Sequence, residues 1–260
     1  MRCRLLLPAV FSLLWSPTLF AAPIARPVEW TIGGDTFAGV LVYDDAVKQP
    51  RPGLVMVPNW KGVNDSAIEK ARLVAGDDYV VLVADVYGKG IRPKTDAEAG
   101  PVATAMRADR PKLRARVQKA VEVLKQQPGT LVDVTRIGAF GYCFGGSTVL
   151  ELVRAGDALS GVVSLHGGLA TDLPAAGPVK SPVLVLNGGD DTYVSAAEIT
   201  AFQDEMRKAG ADWQFVSFGG AAHCFAESDA QNPPGCVYHA PSARRAYRMM
   251  ADFFEDVFAK

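Results

Sequence analysis

Apolar and polar positions follow two different rhythms along the chain. Residues 28–31 and 36–43 are half-apolar extended runs on either side of Gly33-Gly34-Asp35, which predicts an N-terminal antiparallel β-hairpin. Beyond the proline loop at 50–52 the rhythm changes. Continuous apolar runs at 54–57, 80–84, 137–141, 161–165, 183–186 and 214–218 predict strands. Helix-period segments at 66–75, 112–127, 146–154, 196–209 and 242–258 lie between and after them. Short strands that are apolar on both faces, alternating with helices, belong to a mostly parallel sheet covered on both sides. With the hairpin, the sheet has about eight strands. Pro111 is expected to break the segment 101–127 into two helical pieces.

The first 22 residues have another character. Arg2 and Arg4 precede an apolar run at 5–20 that Pro8 and Pro17 interrupt, and Ala21-Ala22 offers a small-residue cleavage point. This is the layout of a secretory signal peptide rather than of a membrane span. Residues 23–260 are then expected to form one domain, exported to the periplasm or the extracellular space. Loss of the leader removes two of 27 basic residues and none of the 28 acidic ones, leaving a net charge of −3. A weakly acidic chain without a basic stripe argues against nucleic acid and anionic membrane as partners.

Cleavage would also remove Cys3 and leave Cys143, Cys224 and Cys236. An odd number in an exported chain suggests one pair and one free thiol. Cys224 and Cys236 flank Asn232-Pro233-Pro234-Gly235 and read as a disulfide-closed turn, the alternative being two buried thiols. Cys143 is then the free one.

Cys143 stands in Gly141-Tyr142-Cys143-Phe144-Gly145-Gly146, between an apolar strand and a helix. A sharp strand-to-helix turn exposes a nucleophile in a strained backbone conformation, and side chains two residues to either side would collide. Glycines at 141 and 145 remove those collisions. The helix start aims its free N–H groups and positive dipole end at the sulfur, which favours the thiolate. In an α/β-hydrolase fold the acid and the base follow the nucleophile, each on a loop after a later strand. The run 183–186 leads into Asn187-Gly188-Gly189-Asp190-Asp191, and 214–218 leads into His223. His223 is the expected general base and an aspartate its orienting partner. The residues alone leave Asp190 and Asp191 open. Of the other two histidines, His166 reads as pocket lining or a packed structural group, and His239 as surface or helix cap.

With these groups placed, nearly the whole chain beyond residue 54 resembles the dienelactone hydrolase family. The resemblance rests on Gly62-Val63-Asn64, Asp85-Val86-Tyr87-Gly88, the cysteine elbow, Gly188-Gly189-Asp190-Asp191 and His223-Cys224-Phe225-Ala226. It implies an α/β-hydrolase fold, a Cys143–Asp191–His223 triad, and hydrolysis of a small lactone or ester without a cofactor or metal. Asp191, followed three residues later by Val194, matches the family's acid. The resemblance also implies an oxyanion hole from the backbone N–H groups of Phe144 and Trp60, and a pocket near Asn59, Tyr87, His166 and Phe225.

Two positions depart from the prototype. Asn59 replaces a glutamate, so thiol activation falls to His223 and the helix start. Glu227 replaces an arginine that binds the substrate carboxylate, and an acid there would repel an anionic substrate. Arg92, Arg107 and Arg110 are the cations that could compensate. The alternatives on the same residues are a thioesterase or peptidase-like hydrolase, and a hydrolase-fold binding protein with little turnover.

Overall fold

The computed structural model of the chain describes residues 23–127, 129 and 131–259; the leader at 1–22 lies outside the described residues. The sheet begins with β1 (Ile24–Ile32), β2 (Asp35–Tyr43), β3 (Arg51–Val57) and β4 (Val80–Val83). It continues with β5 (Val132–Tyr142), β6 (Gly161–Leu165), β7 (Val183–Gly188) and β8 (Trp213–Phe218). The eight strands lie in the order β1-β2-β4-β3-β5-β6-β7-β8. β1 pairs with β2, and β2 with β4, antiparallel. Every pairing from β4 across to β8 is parallel. This is the mostly parallel sheet with an N-terminal hairpin that the pattern predicts.

The doubly apolar strands feed two separate cores. Val55 and Val57 of β3, Leu82 of β4 and Val185 of β7 point into one. It is completed by the helices α2 (Asp96–Ala108), α3 (Arg110–Lys125), α4 (Phe144–Ala155) and α5 (Ala196–Lys208). Leu54, Met56, Val81 and Leu186 point the other way, against α1 (Asp65–Ala75) and α6 (Ala240–Phe258). Each fully buried aliphatic side chain contributes roughly 1.5–3 kcal/mol, so the period-two alternation within each strand stabilises both layers at once.

The structure moves the helical break upstream of Pro111. Asp109 ends α2 and starts α3, its side chain accepting a hydrogen bond from the Lys112 N–H. Pro111 sits in the first turn of α3, where its missing N–H costs nothing. α2 starts earlier than the apolar pattern suggests. Thr95 and Glu98 form a reciprocal capping box there, and Pro101 is accommodated inside the helix. A two-residue strand pair, β9 (Gln231–Asn232) with β10 (Cys236–Val237), is too short to show in any periodicity.

Glu151 of α4 is fully buried and bonds three arginines: Arg110 at 3.2 Å, Arg114 at 2.8 Å and Arg154 at 3.0 Å. Arg154 reaches on to Glu205 of α5 at 2.9 Å. The cluster ties α3, α4 and α5 together. Removing one member of such a buried ion network leaves its partners uncompensated and costs about 3–5 kcal/mol. Glu151→Leu is therefore expected to lower the unfolding free energy by about that amount, read from the shift in urea midpoint; an unchanged midpoint would contradict it.

Candidate active site

β5 ends at Tyr142 and α4 begins at Phe144, so Cys143 alone makes the turn, with φ +53° and ψ −114°. Few residues with a side chain adopt this region without compensation. The compensation here is local. The Cys143 N–H donates to the Leu165 carbonyl at 3.0 Å, and its own carbonyl accepts from the Ser147 N–H at 3.1 Å. The flanking glycines are sterically required. A Cβ on Gly141 would run into the Gly145 backbone, and one on Gly145 into the carbonyl oxygens of Val57 and Pro58.

His223 Nε2 lies 3.1 Å from Cys143 Sγ, and its Nδ1 lies 2.8 Å from Asp191 Oδ2. The acid in contact is Asp191, which is buried, whereas Asp190 is exposed. The other oxygen of Asp191 accepts from the Tyr193 N–H at 2.8 Å, which fixes the carboxylate. Burial disfavours charge on His223, but the hydrogen bonds and negative charges of Asp191 and Cys143 outweigh it and push its pKa up to about 10. The protonated imidazole is the state this environment favours.

The backbone around His223 is tied down. The Cys224–Cys236 disulfide is formed, and the Val237 N–H donates to the His223 carbonyl at 3.0 Å. The Tyr247 hydroxyl of α6 donates to the Ala226 carbonyl at 3.1 Å. His239 is the cap residue of α6, its ring paired with Ser242 at 2.8 Å.

Cys143 and His223 open onto a cavity of about 530 Å³, whose walls include Asn59, Trp60, Arg107, Tyr193 and Glu227. Residues 59–62 form a tight turn closed by a hydrogen bond from the Gly62 N–H to the Asn59 carbonyl, with Gly62 at φ +68°. Asn59 Oδ1 accepts from the Lys61 N–H, and the Tyr87 hydroxyl donates to the Trp60 carbonyl at 3.0 Å. Phe144 opens α4, so its N–H is among those without an intrahelical acceptor.

Three residues expected in the pocket stand behind its wall. Tyr87 is buried against the Phe144 ring at 5.3 Å, because its hydroxyl is needed at the turn. Phe225 is fully buried between His166 and Phe218. His166 is fully buried with its ring edge-on to His223 at 5.1 Å, and burial holds its pKa well below the usual range. The neutral His166 backs the His223 imidazole and is not among the residues that line the cavity.

Of the three arginines, Arg92 bonds Asp85 and backbone carbonyls away from the cavity. Arg110 reaches the wall but is engaged by Glu151, Asp172 and the Ala170 carbonyl. Arg107 lines the cavity, its guanidinium 5.3 Å above the Phe144 ring, with no ion pair among the described residues.

Glu227 is buried, hydrogen-bonded by Asn59 Nδ2 and 3.3 Å from Lys70 Nζ. Burial pushes its pKa up while Lys70 opposes the rise. The expected repulsion of anions is therefore offset, since the carboxylate faces an internal cation. Sequence reasoning missed Lys70, yet a signal was there. Lys70 occupies the buried stripe of α1 with Ala67, Ala71 and Ala75, and a lysine on an apolar face needs a buried acid. It also missed Tyr193, whose exposed ring lies 4.9 Å from that of His223.

Residues 37–258 match the model of the dienelactone hydrolase family. The structure of a dienelactone hydrolase-like promiscuous phosphotriesterase from metagenomic libraries is 36% identical with a TM-score of 0.86, covering 92% of this chain and all of that one. A carboxymethylenebutenolidase of Pseudomonas putida is 26% identical over 87% of this chain and 94% of its own length. The acylaminoacyl peptidase of Pyrococcus horikoshii, at 15% identity and a TM-score of 0.68 over 92% of this chain and 43% of its own, shares the fold. A match that runs from β2 through the elbow and the histidine loop to α6 places this chain in the dienelactone hydrolase family, as a hydrolase of the α/β-hydrolase fold.

Proposed function

We propose that this protein hydrolyses a small ester or lactone through a thioester on Cys143, with His223 as the base and Asp191 as its orienting acid. The observation that carries the reading is the 3.1 Å contact between Cys143 Sγ and His223 Nε2 at the floor of a cavity. Asp191 completes it from the far side of the ring. Sγ attacks the carbonyl carbon while its proton resides on His223, and the N–H groups of Phe144 and Trp60 take the oxyanion. Collapse of that intermediate breaks the C–O bond, and His223 passes its proton to the leaving alkoxide, which in a lactone stays tethered to the acyl group. Acylation removes the sulfur's negative charge and its hydrogen bond, two of the influences that hold the proton on His223. The neutral imidazole then takes a proton from water as water attacks the thioester. Collapse of the second tetrahedral intermediate breaks the C–S bond, releasing the acid and returning the sulfur to Cys143 beside the imidazolium.

Arg107 supports a substrate with an acidic group. A half-buried guanidinium on the cavity wall, stacked on Phe144 and paired with no carboxylate among the described residues, is a ready partner for one. Export belongs to the same proposal, since the Cys224–Cys236 bond suits an oxidising compartment. N-terminal sequencing of protein purified from the native host should begin near residue 23, and an intact Met1 on protein confined to the cytosolic fraction would refute export.

Cys143→Ala is expected to abolish hydrolysis of p-nitrophenyl esters. Asp191→Asn should lower kcat by roughly 10²–10⁴ and move iodoacetamide labelling of Cys143 to higher pH, because one group that holds the proton on His223 is lost. Full turnover by the alanine variant would refute the nucleophile. For Arg107→Leu, KM should rise roughly 10- to 100-fold more for a carboxylate-bearing ester than for its methyl ester, as loss of a charge-assisted contact of about 1.5–3 kcal/mol requires; equal changes would remove the anion-binding role.

A further inference from the structure

Glu227 touches neither Cys143 nor His223, yet it is almost fully buried beside them and bonds a residue on another loop. Its Oε2 accepts from Asn59 Nδ2 and faces Lys70 Nζ at 3.3 Å. Lys70 is anchored in turn by Asp229 at 2.7 Å. The amide of Asn59 is thereby held in one orientation, with Nδ2 towards Glu227 and Oδ1 towards the Lys61 N–H at 3.0 Å. Between Asn59 and Lys61 lies Trp60, whose peptide the turn must aim. The Lys61 N–H that Asn59 Oδ1 holds belongs to the same peptide as the Trp60 carbonyl, on which the Tyr87 hydroxyl is the other grip. The peptide before it, which carries the Trp60 N–H, is held by the Gly62 N–H on the Asn59 carbonyl, so that N–H is fixed with the turn. A buried, charge-backed carboxylate is a costly way to hold one side-chain amide, because desolvation works against it. Such cost persists where the geometry it fixes is needed.

We infer that Glu227 is a positioning residue: through Asn59 it sets the turn at 59–62 and thus the direction of the Trp60 N–H towards the developing oxyanion. The inference rests on the cysteine-hydrolase reading above and adds to it a residue that acts through Asn59 rather than on the reacting atoms. It also couples two loops, since Glu227 lies within the disulfide-closed segment that starts beside His223. One segment then governs both the base and one oxyanion donor.

The test separates thiol activation from oxyanion binding. Alkylation by iodoacetamide needs the activated sulfur but forms no oxyanion, whereas ester turnover needs both. Glu227→Ala leaves Lys70 paired with Asp229, so no orphaned cation is created. It is expected to lower kcat for a p-nitrophenyl ester at least 10-fold, part of the roughly 10²–10³ carried by a whole oxyanion donor. KM and the rate and pH profile of Cys143 alkylation should stay within about two-fold, a margin set by the precision of such cycles. Glu227→Gln, which keeps an acceptor for Asn59, should recover most of the loss. Asn59→Ala should reproduce it, and the double variant Asn59→Ala/Glu227→Ala should be no worse than either alone.

Wild-type turnover in Glu227→Ala overturns the inference. So does a parallel fall in alkylation and turnover, or additive losses in the double variant. Should Glu227→Ala fail to fold, Asn59→Ala decides the matter: a selective loss of kcat supports the inference, and full turnover overturns it. Failure of the underlying reading shows elsewhere, as turnover that survives Cys143→Ala.

Discussion

Everything in the site is referenced to the turn at Cys143. A residue with a side chain held at positive φ costs roughly 1–3 kcal/mol, and the surroundings must enforce it. The close approach of Gly145 to the carbonyls of Val57 and Pro58 does so. That contact joins the start of α4 to the end of β3, and the turn at 59–62 follows β3 directly. A single steric fit therefore fixes both the sulfur and the loop opposite it. The remaining groups arrive from the carboxyl ends of β7 and β8, strands that share the same parallel register. The sheet brings together residues separated by 32 and 80 positions without any of them needing a long contact network of its own.

The electrostatics are organised in layers behind the cavity. His223 has a carboxylate on one nitrogen and a sulfur on the other, and a neutral aromatic His166 against its edge. A charged second imidazole in that place would disfavour a proton on His223. Burial keeps His166 uncharged. Among the charges that lie deep, Lys70, Glu227 and Glu151 each face an opposite charge. Arg107 differs in facing the open volume.

Much of this was legible in the residues themselves. Six apolar runs and the hairpin turn give the sheet, and the glycines about Cys143 give the elbow because they stand between an apolar strand and a helix; outside that context the pattern is weak. His223 followed from its place after the last strand. Asp191 did not follow from the residues, since adjacent aspartates differ only in which way the chain turns after β7; the family resemblance was needed to choose. The pocket walls were less readable. Tyr87, His166 and Phe225 are close to the chemistry in sequence but face the core, and direction depends on packing between elements that no local pattern encodes. The pairing of Asn59 with Glu227 spans 168 positions, and only the folded chain shows that each departure from the prototype is the other's partner.

The segment between Cys224 and Cys236 has polar and proline-rich composition in its second half, with little to anchor it in a core. Its two ends are joined covalently across a sequence separation of 12. Such a closure withdraws roughly 3 kcal/mol of chain freedom from the unfolded ensemble, on a chain-entropy view. A second half that packing alone would leave loose thus enters the folded state already confined, tied to the buried stretch that carries Glu227.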